Sequence, residues 1–134
     1  MNNNANLLAK CHDVEKLLHK QHVTQAAEIA AKLIKQYADD ASSWQALSMV
    51  AEATKNAALA CKAALKAVSL APDSAIFLVQ LARAYLLIGQ SGKALIAAQK
   101  AYKMEDLSTR ELDKLGVLFF KCGENELSVQ CHQI

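Results

Sequence analysis

The feature that most constrains this chain is a pattern of large and small residues that returns about every 34 positions. Large apolar residues coincide in the first half of each copy: Trp44, Leu78 and Leu112, then Leu47, Leu81 and Leu115. Small residues coincide in the second half: Ala60, Ala94 and Ser128, then Ala64 with Ala98, and Ala67 with Ala101. Such a pattern is typical of helix pairs that stack side by side, because one pair cannot cover its own apolar face.

The composition favours helices throughout. Hydrophobic residues make up 53% of the chain and aromatic residues only 5%, so the apolar content is mostly Ala and Leu, which are strong helix formers. One Pro and four Gly leave few places where a helix must break. We therefore predict an all-α fold, with helices near residues 5–20, 24–37, 41–54, 57–70, 75–88, 91–104, 109–122 and 125–134.

Turn and capping residues lie at the ends of these segments. Gly89 and Gly123 mark the turn inside a helix pair, where Lys55-Asn56 stands in the earlier copy. Asp73 and Ser91 are placed to cap the helices that follow them. Ser108 with Glu111 has the spacing of a capping box at the start of the helix near 109–122.

The repeated positions resemble the tetratricopeptide repeat (TPR) family. The matching residues are Trp44, Leu47, Ala60, Ala67 and Pro72 in one unit, Leu78, Leu81, Tyr85, Ala94 and Ala101 in the next, and Leu112, Leu115, Gly116 and Phe119 in the last. The resemblance implies a right-handed superhelical array of antiparallel helix pairs, which is a TPR-like α-solenoid. We expect residues 1–134 to form a single domain with units at about 5–40, 41–74, 75–108 and 109–134.

The two terminal units depart from the pattern. In the first, Lys10 and Asp13 stand where Trp44 and Leu47 stand later, which predicts a degenerate capping unit or, alternatively, a non-repeat helix packed at that end. In the last, the final helix is truncated at Ile134. We expect that the chain is an excerpt of a longer protein or that something covers this end, and a frayed natural terminus is the alternative.

The resemblance places the first helix of each pair on the inner, concave side of the superhelix. The residues expected to face the groove are Ser42, Gln45, Met49, Glu52, Val79, Gln80, Arg83, Leu86, Asp113, Lys114, Val117 and Phe120. This mixture of apolar stems and single charges suits an extended segment or a helix, with Arg83 and Lys114 as the best anchors for a carboxylate. The alternative is a solvated inner face. Some family members hold the carboxylate of a chaperone tail, but Gln45 and Met49 offer no Asn for that role.

Other classes of function are disfavoured. The formal charge is +2, with basic and acidic residues interspersed, whereas nucleic-acid binding needs a clustered basic stripe. No apolar run approaches the roughly 20 residues that span a bilayer, so we expect a cytoplasmic protein. Zinc binding needs convergent ligands, and the cysteines lack a tight Cys-x₂₋₄-Cys element. Neither a nucleophile–base pair nor a phosphate loop can be assigned, so we predict no enzyme activity, no cofactor and no metal.

The leading interpretation is a protein–protein interaction module that binds a peptide segment or a neighbouring domain in its concave groove. Residues 115–123 are also similar to repeats that precede sulfotransferase or glycosyltransferase domains, so an alternative is the N-terminal TPR region of a larger bacterial enzyme. A third possibility is a self-associating scaffold, in which the open end at Ser128 to Ile134 stacks on a second copy.

Overall fold

The computed structural model describes residues 3–104 and 106–123, and within these ranges every regular element is an α-helix. The helices are α1 Asn3–His19, α2 Val23–Gln36, α3 Ala41–Ala53, α4 Ala57–Leu70, α5 Ala75–Leu87, α6 Ser91–Tyr102 and α7 Thr109–Lys121. The prediction of an all-α solenoid is confirmed, and seven predicted helices agree with these bounds to within two residues. The predicted helix at 125–134 lies outside the described residues.

The turn inside the helix pair has the same geometry in the first three units, and the described part of the fourth turn shares its positive φ. A residue with positive φ ends the first helix at Gln21 (63°), Lys55 (62°), Gly89 (80°) and Gly123 (85°), positions spaced by one repeat. The N–H of the residue after it reaches back to the helix, as in the bonds from His22 to the Leu17 carbonyl (2.8 Å) and from Gln90 to the Tyr85 carbonyl (2.9 Å). These are the bonds of a Schellman motif, which closes a helix with a left-handed residue. The first unit therefore shares the turn of the others although its sequence is degenerate.

The helix starts agree only in part with the predicted caps. Ser108 Oγ accepts from the Glu111 N–H (3.4 Å) and donates to Glu111 Oε1 (2.9 Å), so these two residues close the start of α7 together. The assignments of Asp73 and Ser91 are wrong, because Asp73 lies one residue before the N-cap of α5 and Ser91 is itself the first residue of α6. The Ala75 N–H at the start of α5 instead donates to the Asp106 carboxylate (3.1 Å), which belongs to the turn before α7.

The packing follows the alternation of large and small residues. The larger buried cluster joins the bulky residues of α5 and α7 to the alanines of α4 and α6, with Leu115 and Phe119 fully buried. The Tyr102 and Phe119 rings meet edge to face, 5.9 Å apart at 86°. A second cluster holds the first unit on α3, with Leu7 and Val14 of α1 buried at 2% and 0% exposure. The amino-terminal helix is thus an integral part of the stack.

The described helices are too short or too polar to cross a bilayer.

Candidate peptide-binding groove

The odd-numbered helices lie side by side and form one continuous face. Helix α3 packs between α1 and α5, and α5 also packs against α7. Three pockets open on this face, and we call them the N-terminal pocket (about 640 Å³), the middle pocket (about 340 Å³) and the C-terminal pocket (about 420 Å³). Glu15 and Met49 line both of the first two pockets, while Glu52, Arg83 and Lys114 line both of the last two. The pockets are therefore sections of a single groove.

A polar network around Glu52 joins α3 to α5 in the middle of the groove. Arg83 donates to Glu52 Oε2 through Nε (3.1 Å) and Nη2 (2.7 Å). The buried Gln80 amide donates to Glu52 Oε1 (3.1 Å) and to Ser48 Oγ (3.1 Å). The Ser48 hydroxyl in turn donates to the carbonyl of Ala60 on α4 (2.8 Å). Because Glu52 already neutralises Arg83, this cation is less available to a ligand than the sequence suggested.

An ion pair spans the groove between the first and the last described helix. Arg110 on α7 donates to Glu15 on α1, and both residues line the middle pocket. The two side chains are 56% and 24% exposed. The contact connects residues that are 95 positions apart, so it exists only because the stack curves enough to bring α1 towards α7.

Lys114 lies between these two ion pairs. Among the residues that the structure describes, no acceptor forms a hydrogen bond or ion pair with its ammonium group. Burial lowers the pKa of this amine, and the neighbouring Arg83 and Arg110 lower it further, while Glu111 and Glu15 act in the opposite direction. Lys114 is thus a half-buried cation whose three donors are available to an incoming acceptor.

The residues predicted to face the groove divide into three groups. Those that line the pockets are Ser42, Gln45, Met49, Glu52, Gln80, Arg83, Leu86, Lys114 and Val117. Asp113 and Phe120 are exposed but lie outside the three pockets. The placement of Val79 on the groove surface is wrong, because this side chain is 2% exposed and belongs to the larger buried cluster with Leu78 and Ala82.

The sequence prediction missed the contribution of α1. Leu8, Cys11, Glu15 and Leu18 all line the groove. They stand one repeat before Ser42, Gln45, Met49 and Glu52, so extending the register across the degenerate unit identifies them. The same register relates Ser42 to Ile76 and Arg110, which also line the groove.

Two observations within the described ranges concern metal ligands and thiols. No group of three His, Cys, Asp or Glu side chains converges there as a set of metal ligands. Burial, followed by the charges of Asp40 and Glu15, raises the pKa of the Cys11 thiol to about 11. The Cys131-His132 pair and the proposed self-association surface at Ser128 to Ile134 lie outside the described residues.

Comparison with known proteins identifies the repeat. Two family models, both described as tetratricopeptide repeat, match residues 41–74 and 63–96. The solved structure of TTC0263, a thermophilic TPR protein of Thermus thermophilus, is 18% identical with a TM-score of 0.82, over 98% of this chain and 73% of that one. No curated protein matches the sequence significantly.

Two further solved structures share the fold with only part of a longer protein. An O-GlcNAc transferase mutant of Thermobaculum terrenum is 17% identical with a TM-score of 0.74, over 89% of this chain and 23% of that one. The APC/C hetero-tetramer Cut9–Hcn1 contains a chain that is 16% identical with a TM-score of 0.74, over 90% of this chain and 23% of that one. At these identities the likeness establishes the fold alone.

Proposed function

Because this chain belongs to the tetratricopeptide repeat family, we propose that its groove binds a peptide segment or a neighbouring domain of a partner protein. The observation that supports this proposal most directly is the continuity of the three pockets along the odd-numbered helices. An extended ligand can contact all three pockets at once. Stacking of the helix pairs forms the groove before the ligand arrives, which lowers the ordering cost of binding.

The lining of the groove has the mixed chemistry of a peptide-binding surface. The C-terminal pocket is walled by Leu86, Leu87, Val117 and Leu118, and Val117 is 47% exposed. Cationic side chains rim the same pocket. Apolar walls supply affinity, and a few placed polar groups supply orientation. One structural neighbour is a chain of the Cut9–Hcn1 hetero-tetramer, where it is assembled with a second kind of protein chain, and this agrees with the proposed function.

The test uses the full 134-residue chain and a random twelve-residue peptide library displayed on phage. Val117→Asp places a charge in the groove, and Ile96→Asp is the matched control, because Ile96 is a 68% exposed β-branched residue on α6. We expect Val117→Asp to weaken binding of the selected peptides about tenfold or more, since it puts a charge against apolar ligand surface. The control should change affinity less than twofold. Equal losses in both variants, or a loss in neither, would contradict binding in the groove.

A second proposal is that this chain is the repeat region of a larger enzyme. The likeness to the Thermobaculum terrenum O-GlcNAc transferase supports it, since that chain carries a similar fold over 23% of its length. The reading frame in the source genome tests this proposal directly. A catalytic domain encoded in the same frame supports it, and a reading frame without one contradicts it.

A further inference from the structure

The N-terminal pocket contains a buried acceptor that has no partner. Gln45 is 8% exposed, and its Oε1 makes no hydrogen bond within the described part of the chain. The surrounding walls are largely apolar and include Leu8, Met49, Ile76 and Phe77. A buried polar atom without a partner destabilises the folded chain, so its presence in a pocket needs an explanation. The side-chain amide can also rotate, and it then offers either an acceptor or a donor to a peptide backbone.

The other end of the groove is cationic. The middle and C-terminal pockets are lined by five basic side chains, namely Lys55, Arg83, Arg110, Lys114 and Lys121, and by two acidic ones, Glu15 and Glu52. The acidic pair is already engaged by Arg83 and Arg110. Arg83 and Lys114 are the two basic side chains that line both pockets, and of these two only Lys114 has no ion pair within the described residues, so it is the partner that we expect for a ligand carboxylate. The excess of positive charge also attracts acidic segments and accelerates their association.

The fold sets the distance between these two features. Gln45 on α3 is related by the repeat to Asp113 on α7, which is the neighbour of Lys114, so both features lie at the same level of the stack. Helix α5 lies between α3 and α7, and packed helix axes are about 8–10 Å apart. The separation is therefore about 16–20 Å, and an extended chain covers it with about five or six residues.

We infer that the groove binds an extended peptide segment with a large apolar side chain at one end and an acidic side chain about five or six residues away. The apolar side chain fills the N-terminal pocket, and the adjacent peptide group of the ligand forms a hydrogen bond with the Gln45 amide once that amide has rotated toward the pocket. The acidic side chain pairs with Lys114. This inference rests on the proposed function and specifies the class of its ligand.

The experiment begins with the peptides enriched from the same random library. We expect them to combine a large apolar residue with Asp or Glu at this spacing. The best peptide, labelled with fluorescein, is then titrated by fluorescence anisotropy against the wild-type chain and single variants. Lys114→Met should weaken binding of this peptide about tenfold. A peptide with Gln in place of its acidic residue should bind the wild-type chain and the Lys114→Met variant with equal affinity. Lys66→Met is the matched control, because Lys66 is exposed on α4 outside the groove.

Gln45→Leu separates a role in binding from a role in folding. It removes the unpaired acceptor, so we expect the Tm to rise by about 2–4 °C while affinity for the selected peptide falls about tenfold. A purely structural residue would lose stability and affinity together. A lower Tm in this variant would overturn the role of Gln45.

The outcomes also separate this inference from the proposed function. Peptides that lose affinity with Val117→Asp but carry no acidic residue, or that are insensitive to both Lys114→Met and Gln45→Leu, would overturn the inference and leave groove binding intact. Failure to select any peptide that binds would contradict both.

Discussion

Removing the charge of Glu52 is expected to destabilise the contact between α3 and α5 and to release Arg83 into the groove. Glu52 accepts two hydrogen bonds from Arg83 and one from the buried Gln80. The Arg83 side chain is 36% exposed, so solvent screens the ion pair and limits its contribution to about 1 kcal/mol. The bond to Gln80 adds about 1 kcal/mol. Glu52→Ala should therefore lower the free energy of unfolding by about 2 kcal/mol.

The assay is urea unfolding followed by far-UV circular dichroism, applied to a double-mutant cycle of Glu52→Ala and Arg83→Ala. We expect a coupling free energy of about 0.5–1 kcal/mol between the two sites. Glu28→Ala is the matched control, because Glu28 is exposed on α2 and forms no hydrogen bond within the described part of the chain. The control should change stability by less than about 0.5 kcal/mol.

The binding readout of the same variants decides whether Glu52 limits Arg83 as an anchor. With the peptide selected above, Glu52→Ala should raise affinity for an acidic ligand, since the guanidinium group becomes available to its carboxylate. If the stability losses of the two single variants sum to that of the double variant to within about 0.3 kcal/mol, the energetic role of the Glu52–Arg83 contact is refuted. Unchanged or lower affinity for the acidic peptide would refute the argument that Glu52 competes for Arg83.

Two further predictions concern the core and the amino-terminal unit. Ala98→Trp inserts a large ring at a fully buried position of α6 and should lower the free energy of unfolding, measured in urea, by about 1–3 kcal/mol. The control is Gln99→Trp at the exposed neighbouring position, which should leave stability nearly unchanged. Equal effects of the two substitutions would show that the assigned register is wrong. The pKa of the Cys11 thiol is raised from 9.0 to about 11 in the folded chain. Between these two pH values the thiol stays protonated in the folded chain and ionises in the unfolded chain. Its contribution to stability is therefore lost as pH rises from about 9 to 11. At pH 8, iodoacetamide should label Cys11 about 100-fold more slowly in the folded chain than in the chain unfolded by urea, and peptide mass spectrometry measures both rates. Equal rates would contradict the raised pKa.

The sequence alone determined the repeat, the helix bounds and the fold. These follow from contacts that recur at one fixed spacing. The burial of a position such as Leu78 or Ala98 can therefore be predicted by comparing it with the residue one repeat away. The turn positions Lys55, Gly89 and Gly123 were identified in the same way. The groove was predicted as the face made by the first helices, and most of the predicted residues line the three pockets because the helical period fixes which side chains share a face.

Only the tertiary structure decided how the groove is charged and where it is open. The Glu52–Arg83 pair joins neighbouring units, the Asp106 cap on Ala75 joins the two ends of one unit, and the Glu15–Arg110 pair joins the first unit to the last. These contacts depend on the angle at which successive pairs stack, and no local pattern encodes that angle. The burial of Val79 and the unpaired Gln45 amide depend on the same angle, because a small rotation of a helix moves a residue at the edge of its buried stripe between core and groove.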